Sequence, residues 1–176
     1  MKVLVAYASR HGSTAGIAER IAETITSAGI PADVRDVGSL KTTDGYDAVV
    51  VGGAAYLFHW LKGATRFVRR NARDLGSKPV WLFSSGPLGT DLVDDEGRDI
   101  FEATRPKEFD ELCDLVSPRG ERIFFGAYDP DAEAIGMAER FVKHMPASKD
   151  AIPAGDFRDW DAIDTWAREI AAELSS

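Results

Sequence analysis

The stretch Lys2-Val3-Leu4-Val5-Ala6-Tyr7-Ala8-Ser9-Arg10-His11-Gly12-Ser13-Thr14 decides how the rest of the chain is read. Residues 2 to 8 form a short, nearly unbroken apolar run, the pattern of a strand buried on both faces. The run stops in polar residues and Gly12, and from Ser13 the apolar positions fall at Ile17, Ile21, Ala22, Ile25 and Ala28. That spacing is helical, and Gly29 followed by Pro31 closes it. A buried strand turning straight into a helix is the opening unit of an α/β fold with a parallel sheet.

The alternation continues outward from this unit. Ala32 to Val37 reads as a second strand, Ala48 to Gly52 as a third, Pro79 to Phe83 as a fourth and Arg122 to Ala127 as a fifth. Trp60, Ala64, Phe67, Val68 and Leu75 mark a helix after the third strand, and Phe109 to Val116 another before the fifth. Further helices are expected near residues 134 to 145 and 160 to 174, the last entered through Asp159 as N-cap. Right-handed crossovers then give a five-stranded parallel sheet in the order 2-1-3-4-5 with helices on both faces, a three-layer sandwich. The chain, residues 1 to 176, is expected to form a single domain. Such sheets bind ligands beyond the carboxyl ends of their strands, where the winding direction reverses, here between strands 1 and 3. The loops after residues 8, 53 and 84 are therefore the candidate site.

Composition narrows the function. With 21 basic against 29 acidic residues the net charge is −8, a field that repels phosphate backbones and excludes nucleic acid as a partner. Cys113 is the only cysteine, so no internal disulfide forms, which fits a reducing cytoplasm. The amino terminus runs directly into a strand pattern without a signal sequence, and no run of about 18 apolar residues exists to span a bilayer. A cytoplasmic protein without a transmembrane segment is expected.

In the first loop, Ser9, Arg10, His11, Gly12, Ser13 and Thr14 place hydroxyls, an imidazole and backbone N–H groups at a helix N-terminus, which is an anion site. One Ser or Thr there merely caps a helix. This concentration of donors, with Gly12 allowing close approach, suits a phosphate. The loop resembles the phosphate loop of flavodoxins, a turn of the form T-x-T-G-x-T. Ser9, Gly12 and Thr14 match it, and His11 stands where the middle hydroxyl is usual. Tyr7-Ala8-Ser9-Arg10-His11-Gly12, the Gly53-Ala54-Ala55 turn and the terminal Asp159-Trp160 through Ala167-Arg168-Glu169-Ile170 resemble the flavodoxin-type protoporphyrinogen dehydrogenases, which use menaquinone as acceptor.

The resemblance implies FMN as cofactor and a flavodoxin-like fold. It places isoalloxazine against the second loop, Ala54, Ala55, Tyr56, Leu57, Phe58 and His59, and the pyrimidine edge on Ser85, Gly86, Pro87, Leu88 and Gly89. The residues support this independently. Three aromatic rings in one loop are unusual, and a ring stacked on a flat tricycle adds about 0.5–1.5 kcal/mol beyond area burial. Tyr56 and Phe58 are the stacking candidates, while Trp60 is expected to pack under the second helix. The third loop is rich in residues that leave backbone N–H groups exposed. In flavodoxins a peptide of the second loop, often beside a glycine, turns toward flavin N5. No glycine lies between Ala54 and Trp60 here, which argues against a simple one-electron carrier.

The expected function is a redox flavoprotein passing electrons through FMN to or from a redox partner protein or a small organic substrate such as a quinone or porphyrinogen. The acidic balance favours a carrier, as does the run Asp91, Asp94, Asp95, Glu96, Asp99 and Glu102, read as a solvated loop, a docking surface or a gate. The aromatic loop and the late helices favour an oxidoreductase. No side chain stands out as a general acid or base, and no histidine has metal-ligand spacing. Asp36 occupies the place of the ribose-binding acid of a dinucleotide fold, but the first turn lacks G-x-G-x-x-G, so Asp36 reads as a strand-end turn residue. A receiver domain needs acids where this chain has Ala8-Ser9 and Gly52-Gly53, a P-loop needs G-x-x-x-x-G-K-[ST], and a cysteine phosphatase needs a thiol in the first loop. A non-catalytic nucleotide-binding module is the alternative of another class.

Overall fold

The computed structural model describes residues 1–131 and 153–176. Strand β1 (Val3–Ala8) leads into α1 (Ser13–Ser27), followed by β2 (Ala32–Asp36) and β3 (Ala48–Tyr56). A two-residue strand, β4 (His59–Trp60), folds back on β3 before α2 (Lys62–Leu75) and β5 (Val80–Ser85). The one-turn helix α3 (Ile100–Ala103), α4 (Phe109–Val116) and β6 (Gly120–Phe124) come next. The short strands β7 (Ala127–Tyr128) and β8 (Gly155–Asp156) then pair with each other ahead of the terminal helix α5 (Trp160–Ser175).

The five long strands lie side by side as β2-β1-β3-β5-β6, all parallel, which is the expected 2-1-3-4-5 order. Because successive side chains of a strand face opposite ways, the sheet feeds two cores. Val3, Val5, Val50, Trp81 and Phe83 pack under α1 and α5, against Ile17, Ile21, Ile163 and Trp166. Leu4, Ala6, Val49, Val51 and Leu82 pack under α2 and α4, against Phe67, Val68, Phe109 and Leu112. Helix α5 starts where expected, with Asp159 accepting the Ala162 N–H at 3.0 Å. It is joined to α1 by a bidentate pair, Arg20 to Asp164 at 2.6 and 2.5 Å, which holds the Asp164 carboxyl below its ordinary range.

The register brings the carboxyl ends of three strands level, Ala8 beside Gly53 and Ala54 beside Ser85. At this level β3 carries two glycines whose missing side chains matter. A Cβ on Gly52 would lie inside the Phe83 ring, and one on Gly53 would come within 2.7 Å of the Trp60 indole. Aromatic rings therefore lie directly on the backbone of the central strand, one on each face.

Several expectations shift. Trp60 belongs to β4 and not to the second helix, although it is buried against that layer as expected, 2% exposed. Strand β3 runs on to Tyr56, and β5 to Ser85, so Ala54, Ala55 and Ser85 are strand residues and not loop residues. The last sheet strand is Gly120–Phe124, earlier than Arg122 to Ala127. The acidic run is largely exposed, as a solvated loop is, and is folded on itself: Asp94 accepts the N–H groups of Glu96 and Arg98, Val93 bridges Asp99, and Asp99 caps α3. Asp36 is the strand-end turn residue expected, closing the turn after β2 by accepting the Gly38 N–H at 2.7 Å. The helix expected at residues 134 to 145 lies outside the described residues. Among the described residues no helix is long and apolar enough to cross a membrane.

Candidate functional site

Gly12 occupies the N-cap of α1 with φ 85°, a left-handed conformation that places the space where a side chain would stand open to solvent. No side chain caps the helix. Two serines flank this end. Ser9 Oγ accepts the Gly12 N–H at 3.1 Å, and Ser13 Oγ accepts the Ala127 N–H at 2.9 Å. With an acceptor position of each hydroxyl taken by backbone, its own proton is the group left to donate. The result is a neutral set of donors at the positive end of a helix, suited to an anion. His11 and Gly12 are exposed and, with Ser13, Tyr128 and Arg158, line a cleft of about 580 Å³.

Thr14 is placed differently from the other loop residues. Its side chain is fully buried, with Oγ1 at 2.8 Å from Ser85 Oγ, itself 3% exposed. This pair ties the first turn of α1 to the end of β5, so neither hydroxyl faces the open side of the loop. Arg158 and Tyr128 line the same cleft as His11 to Ser13, a placement that sequence reasoning misses. The Arg158 guanidinium forms a bidentate pair with Asp156, sits 4.4 Å from the Trp160 ring centroid and reaches the Ser13 carbonyl at 3.4 Å. Nothing local in Phe157-Arg158-Asp159 marks this, because the contact joins residues 145 positions apart.

The second loop is a β-hairpin. Tyr56 pairs with His59, and the two residues between them, Leu57 at φ 50° and Phe58 at φ 64°, are both left-handed. That is the geometry of a two-residue type I′ turn, which ordinarily carries Asn or Gly. Each ordinary residue in this conformation costs about 1–2 kcal/mol. Tertiary contacts hold it. Trp60 donates its indole N–H to the Gly53 carbonyl at 2.9 Å and meets Phe109 edge-on, centroids 5.2 Å apart. Lys107 donates its backbone N–H to the Phe58 carbonyl at 3.0 Å. Glu108 accepts the Trp60 N–H at 3.0 Å and lies 2.8 Å from His59 Nδ1. Burial raises the Glu108 carboxyl, but the Trp60 N–H and His59 outweigh it, and the group sits below its ordinary range.

The hairpin thereby raises apolar surface at the end of the sheet: Tyr56, Leu57 and Phe58 are 38%, 87% and 48% exposed. The Arg10 guanidinium lies 4.9 Å from the Tyr56 ring centroid, so the first and second loops are neighbours. The third loop is pinned to the end of β6, with the Gly86 N–H donating to Phe124 at 3.3 Å and the Gly126 N–H to Pro87 at 2.9 Å. It also abuts the hairpin, since a Cβ on Gly86 would come within 3.3 Å of Ala55. Pro87 is buried, while Leu88 and Gly89 are half-buried. The three loops thus converge, with a donor set for an anion at one side and exposed rings at the other. This donor set and these rings fit a flat heteroaromatic ligand that carries a phosphate.

Residues 4–133 match the family model described as a flavodoxin domain. The chain belongs to the flavodoxin family. This flavodoxin-family chain is 33% identical over 179 residues to the protoporphyrinogen IX dehydrogenase [quinone] of Escherichia coli strain K12, covering 97% of this chain and 95% of that protein. Solved flavodoxins share its fold. One from the domain Archaea superposes with a TM-score of 0.64 at 16% identity, covering all of both chains. Oxidised Flavodoxin 2 from Bacillus cereus gives 0.58 at 19% identity, over 98% of this chain and 99% of that one. Family membership makes the protein a redox flavoprotein of flavodoxin type.

Proposed function

We propose that the flavin is FMN, that it binds across the three loops, and that the protein uses it to oxidise a small reduced organic substrate of porphyrinogen type with a quinone as acceptor. The observation that carries the reading is the uncapped N-terminus of α1, flanked by the hydroxyls of Ser9 and Ser13, each of which accepts one backbone N–H and keeps its own O–H available to donate. FMN differs from riboflavin by the phosphate such a site recognises. Ser9 to Ser13 hold that phosphate, Tyr56 and Phe58 cover the ring system, and backbone groups of Gly86 to Gly89 meet its polar edge. The bound flavin supplies the electron chemistry, and the chain orients it and shields it from water. The name of the Escherichia coli relative, similar over nearly the whole of both chains, supports the substrate and acceptor classes.

Fluorescence-quenching titrations with FMN and riboflavin test the cofactor. Wild-type protein is expected to prefer FMN, and Ser9→Ala to weaken FMN by about 10-fold or more while leaving riboflavin unchanged, because a hydrogen bond to a charged group contributes about 1.5–3 kcal/mol. Absence of any FMN binding by wild-type protein ends the proposal. A second reading, an electron carrier docking to a protein partner, is favoured by the net charge of −8. Anaerobic mixing of the FMN-loaded protein with a porphyrinogen separates the two. Bleaching of the flavin, reversed by a soluble quinone, supports the oxidoreductase, and an unreactive flavin returns the carrier.

A further inference from the structure

Removing two electrons and two hydrogens from an organic substrate releases one hydrogen as hydride and the other as a proton, which needs an acceptor beside the substrate. The hairpin supplies one. His59 and Glu108 stand 49 positions apart in sequence, and the fold brings Nδ1 of the first to 2.8 Å from Oε1 of the second. The other carboxylate oxygen is fixed by the Trp60 backbone N–H. An ionised carboxylate only accepts, so the proton of a neutral His59 sits on Nδ1 and Nε2 is left with a lone pair. His59 lies directly opposite Tyr56 and so shares its face of the hairpin, whereas the next residue, Trp60, points into the core. The His59 side chain is 58% exposed on that face.

We infer that His59 is the proton-exchanging catalytic residue of the flavin site and that Glu108 is the positioning residue that sets its tautomer; this rests on the oxidoreductase reading above. The proton balance closes over a full cycle. The remaining proton of the reduced substrate would pass to His59 Nε2, leaving imidazolium, while the flavin, when bound, would supply the acceptor for the accompanying hydride. The imidazolium would then return that proton as the quinone takes up the hydride equivalent, leaving hydroquinone and a neutral His59 ready for the next cycle. The charged and titratable groups around this position come from three elements. Glu108 contacts the ring from the segment before α4, and Lys107 of the same segment lies 6.0 Å from the Phe58 centroid. Tyr56 faces it from β3, and Arg10 stacks on Tyr56 from the first loop.

The test uses FMN-loaded protein, with wild type, His59→Gln and Glu108→Gln compared by three measurements. FMN dissociation constants report whether the hairpin is intact. Imidazole ¹⁵N spectra report the tautomer, expected as Nδ1–H in wild type and displaced toward Nε2–H in Glu108→Gln, where the amide can donate to Nδ1. Stopped-flow reoxidation of the reduced protein by a water-soluble benzoquinone reports proton delivery. His59→Gln is expected to slow it about 100-fold and flatten its pH profile with FMN affinity unchanged, the low end of general acid–base contributions. Glu108→Gln is expected to slow it about 10-fold in step with the tautomer change. A wild-type rate and pH profile in His59→Gln, or a loss of FMN affinity as large as the loss of rate, overturns the inference and leaves the FMN reading standing. A wild-type protein that binds no FMN, or whose flavin the quinone does not reoxidise, overturns that reading and the inference with it.

Discussion

The loop after β1 and the hairpin after β3 touch at Arg10 and Tyr56, yet they are built in opposite ways. In the first, glycine takes the left-handed N-cap and serines receive nearby backbone N–H groups, each a conformation that the residue's own chemistry favours. In the second, a leucine and a phenylalanine occupy left-handed positions, and Trp60, Lys107 and Glu108 keep them there. A binding loop can therefore be shaped locally, or it can be imposed by distant contacts, and the same sheet end uses both.

Four substitutions or conditions break or sharpen this contrast. The largest effect is expected from Trp60→Ala, which removes a buried indole, its bond to Gly53 and its contact with Phe109; denaturant unfolding should show a loss of about 3–5 kcal/mol. A loss below about 1 kcal/mol would mean the hairpin is anchored elsewhere. Thr14→Val keeps shape but strands the buried Ser85 hydroxyl, at about 1–3 kcal/mol. It should weaken FMN and riboflavin alike, unlike Ser9→Ala; a selective loss of FMN would place the Thr14 hydroxyl at the phosphate after all.

Phe58→Gly should act in the other direction, raising stability by about 1 kcal/mol as turn strain is relieved, with weaker flavin binding as the ring is lost. A destabilised variant would show that the turn is not strained. The smallest effect concerns pH. Because the folded Glu108 carboxyl lies below its ordinary range, its contribution is present above that range and disappears as pH falls through the lowered value. The stability difference between wild type and Glu108→Gln should narrow on acidification. A difference that does not change with pH would show that the carboxylate charge plays no part in holding the hairpin.

Legibility in the sequence follows the same division. Strand order, the helix after Ser13 and the glycine turn that starts it are legible because they rest on local periodicity and on residues suited to their own backbone. Trp60 reads as helical because its spacing to Ala64, Phe67 and Val68 is helical, and the fold uses that apolar face from a strand instead. The I′ turn carries none of the Asn or Gly that would announce it. Ser85 is polar and so reads as loop, yet the ladder continues to it and its hydroxyl meets Thr14 from 71 positions away. Glu108 carries no motif, and its role arises only where the segment before α4 passes the hairpin.

The bare backbone at Gly52 and Gly53 has a consequence for divergence within the family. Each glycine is matched to one ring, Phe83 on one face and Trp60 on the other, so neither position can change alone. A homologue that acquires alanine at the place of Gly52 must also shrink the residue at the place of Phe83, and one that does so at Gly53 must shed the indole that pins the hairpin. Substitutions here should therefore appear in pairs across related sequences, and the second pair should travel with a different loop after β3.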